Sequence, residues 1–233
     1  MSYKMYSINE KSTAKNQALT EDKVLSIIDG LIFCQVGRKS LEKYSKFVYD
    51  VYVDSYKKRN GWEPVDGELE HMIQEDKEQF EHSYYFAFKT HEGEFVGGAK
   101  VTKKVPSLDF AIETEFNYNL KEFFEMGNIP TRDFWHMGRT AINKYTLQAA
   151  ETKLSSVQIL DKLMWECYNV VTQEEHNMII GEADAMAYRI YRVKGVHVQR
   201  MGEGIDYLGS ITYPVFILGK DLKSWMNINS HLS

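Results

Sequence analysis

The spacing of apolar and polar positions changes repeatedly along the chain, and each change marks an element. The start, "MSYKMYSINEKSTAKNQ", is polar and rich in Lys, Ser and Asn, which predicts a flexible arm over 1–18 ahead of a single domain over 19–233. "TEDKVLSIIDG" reads as a short helix, with Thr20 as N-cap and Gly30 as its stop. "LIFCQVG" is apolar and β-rich and predicts a strand. Leu41, Tyr44, Phe47, Val48, Val51 and Tyr52 then recur at helical spacing behind a capping Ser40. A carboxylate-rich stretch, "EPVDGELEHMIQEDKEQFEH", leads to "YYFAFKT" and "EFVGGAKVTKK", which flank the turn "HEGE" and predict a hairpin. Farther on come a helical "TEFNYNLKEFFEMG", the strand "DFWHMGRTAI" and a long helix in "SSVQILDKLMWECYNVVTQEEH". The strand "NMIIGEAD", a short helix "AMAYRIYRVKG" closed by Gly195, and the strands "VHVQRMG" and "TYPVFILG" finish the chain. This order predicts an α/β (α+β) fold, a mixed sheet with helices on both faces.

Composition narrows the partners. With 43% hydrophobic and 26% charged residues the 233-residue chain has a globular profile, and its net charge of -5 argues against a nucleic-acid binder. An anionic partner must meet a local basic patch. Cys34 and Cys167 lie in apolar runs far apart and read as reduced core thiols of a cytoplasmic protein. No apolar stretch approaches the ~20 residues of a membrane span. The seven histidines show no metal-ligand spacing, so no metal is expected.

Four words in order carry a resemblance: "NGW" after the first long helix, "FVGGAKV" in the hairpin, "FWHMGRTAI", and "YRVKGVHVQRMGEGIDYLGSITYPVFIL". Together they resemble GNAT-type acyltransferases, and among them the autoinducer (acyl-homoserine lactone) synthase and long-chain N-acyl amino acid synthase branch. The resemblance implies a splayed central sheet and transfer of a medium or long acyl chain to a small amine, without an acyl-enzyme. Acyl carrier protein or acyl-CoA is then the co-substrate, and no cofactor is permanently bound. The departures are specific. His136 stands where the family has glutamate, and Lys100 where it has arginine. The family's acids three apart are matched ambiguously by Glu75 and Glu78, with Asp76 between them. The glycine loop by which ordinary acetyl-CoA enzymes of this fold cradle pyrophosphate is replaced by "NKYTLQAAETKLSS".

Acyl transfer from a thioester to an amine needs a base for the ammonium proton and donors for the carbonyl oxygen as it gains charge. Imidazole suits the first task at neutral pH. His136 is therefore either the base or a satisfied, partly buried histidine. In a regular strand His136 and Arg139 point to opposite faces, but a β-bulge at Met137–Gly138 would bring them together and free backbone N–H groups. Arg139 then anchors an acid of the 63–81 segment or a substrate carboxylate. Gly138, Thr140, Ala141 and Ile142 are expected along the thioester and acyl chain.

Other residues admit two readings each. Trp62 walls the acceptor pocket or is plain core. Glu75, Glu78 and Lys100 contact the acceptor, or the acids form a solvated face. Lys103 and Lys104, with the "KKR" at 57–59, dock a carrier protein or donor phosphate, or end a strand in solvent. Ser155 and Ser156 cap a helix or face a phosphate. Three functions follow: the N-acyltransferase of the resemblance, a short-chain acetyltransferase with a divergent phosphate site, or a non-catalytic acyl-binding relative.

Overall fold

A computed structural model describes residues 19–207 and 209–233; the arm expected over 1–18 lies outside them. Nine strands form one sheet among the described residues: β1 (Lys23–Ile28), β2 (Leu31–Gln35), β3 (Ser83–Lys89), β4 (Phe95–Lys103), β5 (Phe134–Ile142), β6 (Met178–Asp184), β7 (Gln199–Arg200), β8 (Ile205–Tyr207) and β9 (Ser210–Leu218). Their order is β1-β2-β3-β4-β5-β6-β9-β7, with β8 also on β9. Every pairing is antiparallel except β5 with β6.

Among the described residues eight α-helices cover it: α1 (Leu41–Asn60), α2 (Glu68–Gln79), α3 (Ala111–Thr114), α4 (Leu120–Met126), α5 (Lys144–Ala149), α6 (Ser156–Val171), α7 (Ala185–Val193) and α8 (Gly219–Ile228). Cys34, Tyr44, Tyr85, Phe95 and Ala141 pack together under α1 on one face. On the same face, under α3 and α4, Phe110, Phe124, Met178, Ile180 and Phe216 form a second cluster. Phe33, Val101, Trp135, Leu163, Cys167 and Ile217 fill the other face beneath α6 and α8. No helix among the described residues is long and apolar enough to cross a membrane.

The mixed sheet with helices on both faces is as the pattern predicted. The helix expected over 20–30 is instead β1 and its turn: Asp29 and Gly30 take φ of 46° and 82°, the paired positive values of a two-residue hairpin turn. The single helix expected over 114–127 is broken at Asn117, with φ 57°, into α3 and α4. "VHVQRMG" pairs only through the two residues of β7. Ser40 makes no capping bond; its hydroxyl donates to Asp22 Oδ2 instead, at 3.0 Å.

The double glycine of "FVGGAKV" lets α1 and α6 press on opposite faces of β4. A Cβ on Gly97 would stand 2.8 Å from Ile159 Cγ2, and one on Gly98 2.5 Å from Tyr44 Cε2. Gly98→Ala is therefore expected to destabilise the protein by ~1–3 kcal/mol, read as a lower urea midpoint at unchanged m-value. An unchanged midpoint would show that α1 is not seated this closely.

Candidate active site

β5 and β6 pair only at Phe134↔Met178, Trp135↔Ile179 and His136↔Ile180. Beyond His136, β5 continues against β4 as far as Ile142↔Gly97, while β6 continues against β9 as far as Asp184↔Thr212. The sheet thus splits directly after the histidine, in line with the splayed central sheet that the resemblance implies. The β5 edge facing the split has no β6 ladder to satisfy its backbone groups.

A bulge is present, at Arg139–Thr140 rather than at Met137–Gly138. Gly98 opposes Ala141 and Lys100 opposes Gly138, so Arg139 and Thr140 together face Ala99. Arg139, not Gly138, takes the left-handed conformation, with φ 53°. Such a conformation costs a non-glycine residue about 1–3 kcal/mol and persists only where its surroundings hold it. Here they do: the Tyr44 hydroxyl donates to Arg139 O at 3.3 Å, and the guanidinium is tied to α2.

Those ties form a buried network on the face that also carries His136. Arg139 Nε lies 3.2 and 3.3 Å from the Asp76 carboxylate oxygens, and Arg139 Nη2 is 2.7 Å from Glu75 Oε2. Lys100 Nζ donates to Asp76 Oδ1 at 2.9 Å and to Gln79 Oε1 at 2.7 Å. Ser45 Oγ donates to Asp76 Oδ2 at 2.7 Å and the Tyr85 hydroxyl to Oδ1 at 3.2 Å. Burial alone would raise the Asp76 pKa, but Lys100 and Arg139 outweigh it and bring it down to about 2. For Glu75 burial likewise opposes ionisation, and Arg139 and Lys100 again prevail to lower its pKa. Lys100 is shifted down by burial, which Asp76 only partly offsets.

Because the Asp76 pKa is depressed below its ordinary 3.8, the unfolded chain takes up this proton first as pH falls. The stabilisation is complete above pH ~4 and is lost as pH falls towards ~2. It is on the order of 2 kcal/mol, and Asp76→Asn is expected to lack this part of the acid dependence while being less stable at neutral pH. Urea unfolding monitored between pH 5 and 2 measures it; parallel acid profiles for the two proteins would contradict it.

His136 has a carboxylate partner from the other side of the split. Its Nε2 lies 2.8 Å from Glu182 Oε2, and its ring stacks on Phe110 with centroids 4.6 Å apart and planes 17° apart. Burial opposes ionisation of Glu182, yet His136 and its hydrogen bond outweigh burial and lower the pKa. The Ile112 backbone N–H also favours the carboxylate, although Oε1 is buried without a partner at hydrogen-bond geometry. Tyr207 of β8 shares this environment: burial, with Glu182, Glu115 and Glu75 nearby, pushes its hydroxyl up to about 12.

The remaining candidates separate. Gly138 lies against the imidazole; Ala141 is buried in the core under α1, Ile142 packs into the opposite core, and Thr140 is half-buried. Glu78 bonds Gln74 on the exposed side of α2, so the acids gathered at Arg139 are Glu75 and Asp76. Lys100 is buried and committed to Asp76 and Gln79. Trp62, half-buried after α1, meets the ring of Tyr56. Lys103 pairs with Asp133, and Lys104 with Asp109 and Glu113. Ser155 Oγ caps α6 by accepting from Gln158 N at 3.3 Å, and Ser156 is the first residue of that helix. Glu182 and Tyr207 were not singled out by sequence, and Asp76 was noted only as the acid between Glu75 and Glu78. For Glu182 the signal was a carboxylate in an apolar strand, in step with Met178 and Ile180.

No family profile and no curated protein matches the sequence. Solved structures do match the fold. FeeM, an N-acyl amino acid synthase from uncultured soil microbes, superposes with a TM-score of 0.59 at 9% identity, over 84% of this chain and 94% of its own. TofI, solved in a ternary complex with an inhibitor and MTA, gives 0.53 at 14% identity, over 87% and 99%. BjaI, a CoA-dependent acyl-homoserine lactone synthase, gives 0.51 at 12% identity, over 82% of each chain. The chain therefore has the GNAT-like fold of these proteins, as the four sequence words had resembled it.

Proposed function

We propose that this protein is an N-acyltransferase that moves a medium or long acyl chain from a thioester to the amine of a small acceptor such as an amino acid. The carrying observation is His136, held by Glu182 at the point where β5 and β6 part. An imidazole there can take a proton from an ammonium, and the unladdered β5 edge offers backbone donors for the carbonyl oxygen. Direct attack is supported by the thiols. Both are free and buried, and burial above all drives Cys34 up to about 12 and raises Cys167 as well. Neither offers a thiolate nucleophile near neutral pH. Free thiols also fit a cytoplasmic setting.

The donor we infer is acyl carrier protein rather than free CoA. In the stretch that stands in place of the pyrophosphate loop, side chains already take the backbone N–H groups. Asn143 Oδ1 accepts from Tyr145 and Thr146, the Asp29 carboxylate from Lys153, and Thr152 Oγ1 from Leu154. A carboxylate there disfavours a pyrophosphate. The lysines first considered for docking are matched by acids, including Lys57 by Glu63 and Lys58 by Asp54. The arginines without a carboxylate partner among the described residues are Arg189, Arg192 and Arg200, all at α7 and β7. Arg200 is exposed with its guanidinium 3.5 Å from the Tyr213 ring centroid and 4.4 Å from that of Tyr188. α7 begins where β6, a strand that lines the split, ends, and the unpaired charge along α7 and β7 suits an acidic carrier.

The test supplies purified protein with acyl carrier and CoA thioesters of several lengths and a panel of amino acids, and seeks N-acyl products by mass spectrometry. Carrier donors are expected to give the higher kcat/KM, to weaken as salt rises, and to lose most when Arg189, Arg192 and Arg200 are changed to Glu. Equal, salt-insensitive rates with acetyl-CoA would favour a short-chain acetyltransferase instead.

A further inference from the structure

We propose that Glu182 is a positioning residue that holds His136 as its Nε2–H tautomer, so that Nδ1, beside Gly138, is the nitrogen that takes the acceptor's proton. This inference rests on the acyl-transfer reading. An ionised carboxylate only accepts hydrogen bonds, so the 2.8 Å contact between Nε2 and Glu182 Oε2 places the proton on Nε2. Turning the ring over would set Cε1 against the carboxylate and lose the bond, while the parallel Phe110 ring fixes the ring plane. Nδ1 has no hydrogen-bond partner among the described residues.

The space before Nδ1 is kept open by a missing side chain. A Cβ on Gly138 would lie 3.1 Å from His136 Cε1 and 3.5 Å from Nδ1. β5 has already left β6 at this point, so the space belongs to the split. Glycine is needed here for room, since the positive φ belongs to Arg139. In the reaction, Nδ1 takes one proton from the ammonium, and the nitrogen lone pair forms the C–N bond at the thioester carbonyl carbon. The tetrahedral oxyanion collapses with cleavage of C–S, the electron pair leaving on sulfur. The second nitrogen proton goes to the thiolate, and the imidazolium returns its proton to solvent. Glu182 touches no reacting atom.

The experiment uses the full chain with 15N-labelled histidine, His136 being assigned from the signal lost in His136→Gln. In wild type, Nδ1 is expected to show the shift of an unprotonated nitrogen and Nε2 that of a protonated one. Glu182→Gln, whose amide oxygen still accepts from Nε2–H, should keep this tautomer and more of the turnover. Glu182→Leu should lose the preference and a large part of the ~10²–10⁴-fold that a general base contributes, with little change in the acceptor KM. Gly138→Ala should keep the tautomer yet lose turnover by blocking Nδ1. A protonated Nδ1 in wild type, or a folded Glu182→Leu with wild-type spectrum and turnover, overturns the proposal. A wild type that shows the Nε2–H spectrum but forms no amide overturns the acyl-transfer reading and upholds the tautomer assignment.

Discussion

His136→Ala is expected to lower turnover by roughly 10²–10⁴-fold while leaving the free energy of unfolding within ~1 kcal/mol of wild type. The side chain is partly exposed, so little packing is lost, and Glu182, left buried without its partner, can take up a proton rather than stay charged. Glutamate at this position, which the family resemblance alone would recommend, meets an obstacle specific to this chain. His136→Glu would set a second carboxylate against Glu182, and one of the two would have to protonate or turn away. His136→Glu should therefore recover little, and pairing it with Glu182→Gln should recover more. Comparing kcat across these variants, with the acceptor saturating, decides the matter; full activity in His136→Ala would make the imidazole a structural side chain.

Asp76→Ala is the variant expected to cost most in stability. It strips the carboxylate from between Lys100 and Arg139, leaving two buried cations with only Gln79 and Glu75 as partners. Breaking a buried ion pair from one side typically costs ~3–5 kcal/mol, a large fraction of a domain's stability. Because Arg139 sits in a strained conformation that this network holds, its backbone should relax and activity should fall with stability. Arg139→Lys is expected to show a milder form of the same defect, since one ammonium cannot span Asp76 and Glu75 as the guanidinium does. Chemical denaturation measures both; a change under 1 kcal/mol in Asp76→Ala would show that the cluster contributes little net energy.

Part of this was legible in the sequence. β5 stood out because a Trp, a His and an Arg interrupt an apolar run, and the need for a bulge followed from the three-residue spacing of His136 and Arg139. Its location did not follow, because the ion pairs that stabilise a positive φ at Arg139 come from α2, far away in sequence. In α2 the inward face was readable after all: Met72, Asp76, Gln79 and Phe80 recur at helical spacing, and that face selects Asp76 over Glu78. The β1–β2 hairpin was misread because Asp29-Gly30 served as a helix stop when it is also a strong two-residue turn signal. Glu182 lay in the quoted strand "NMIIGEAD" but outside the four words that carry the resemblance, and its role depends on a parallel pairing that ends at His136.

Direct amide-forming transfer at the split beside His136 is open to a single-turnover test that follows intact protein mass and product together, with a long-chain acyl carrier donor and an amino acid. N-acyl product should form in one phase with no acylated protein at any time, and His136→Ala should slow that phase without creating an adduct. An acyl group accumulating on the protein before product appears, or product forming equally fast in His136→Ala, would contradict it.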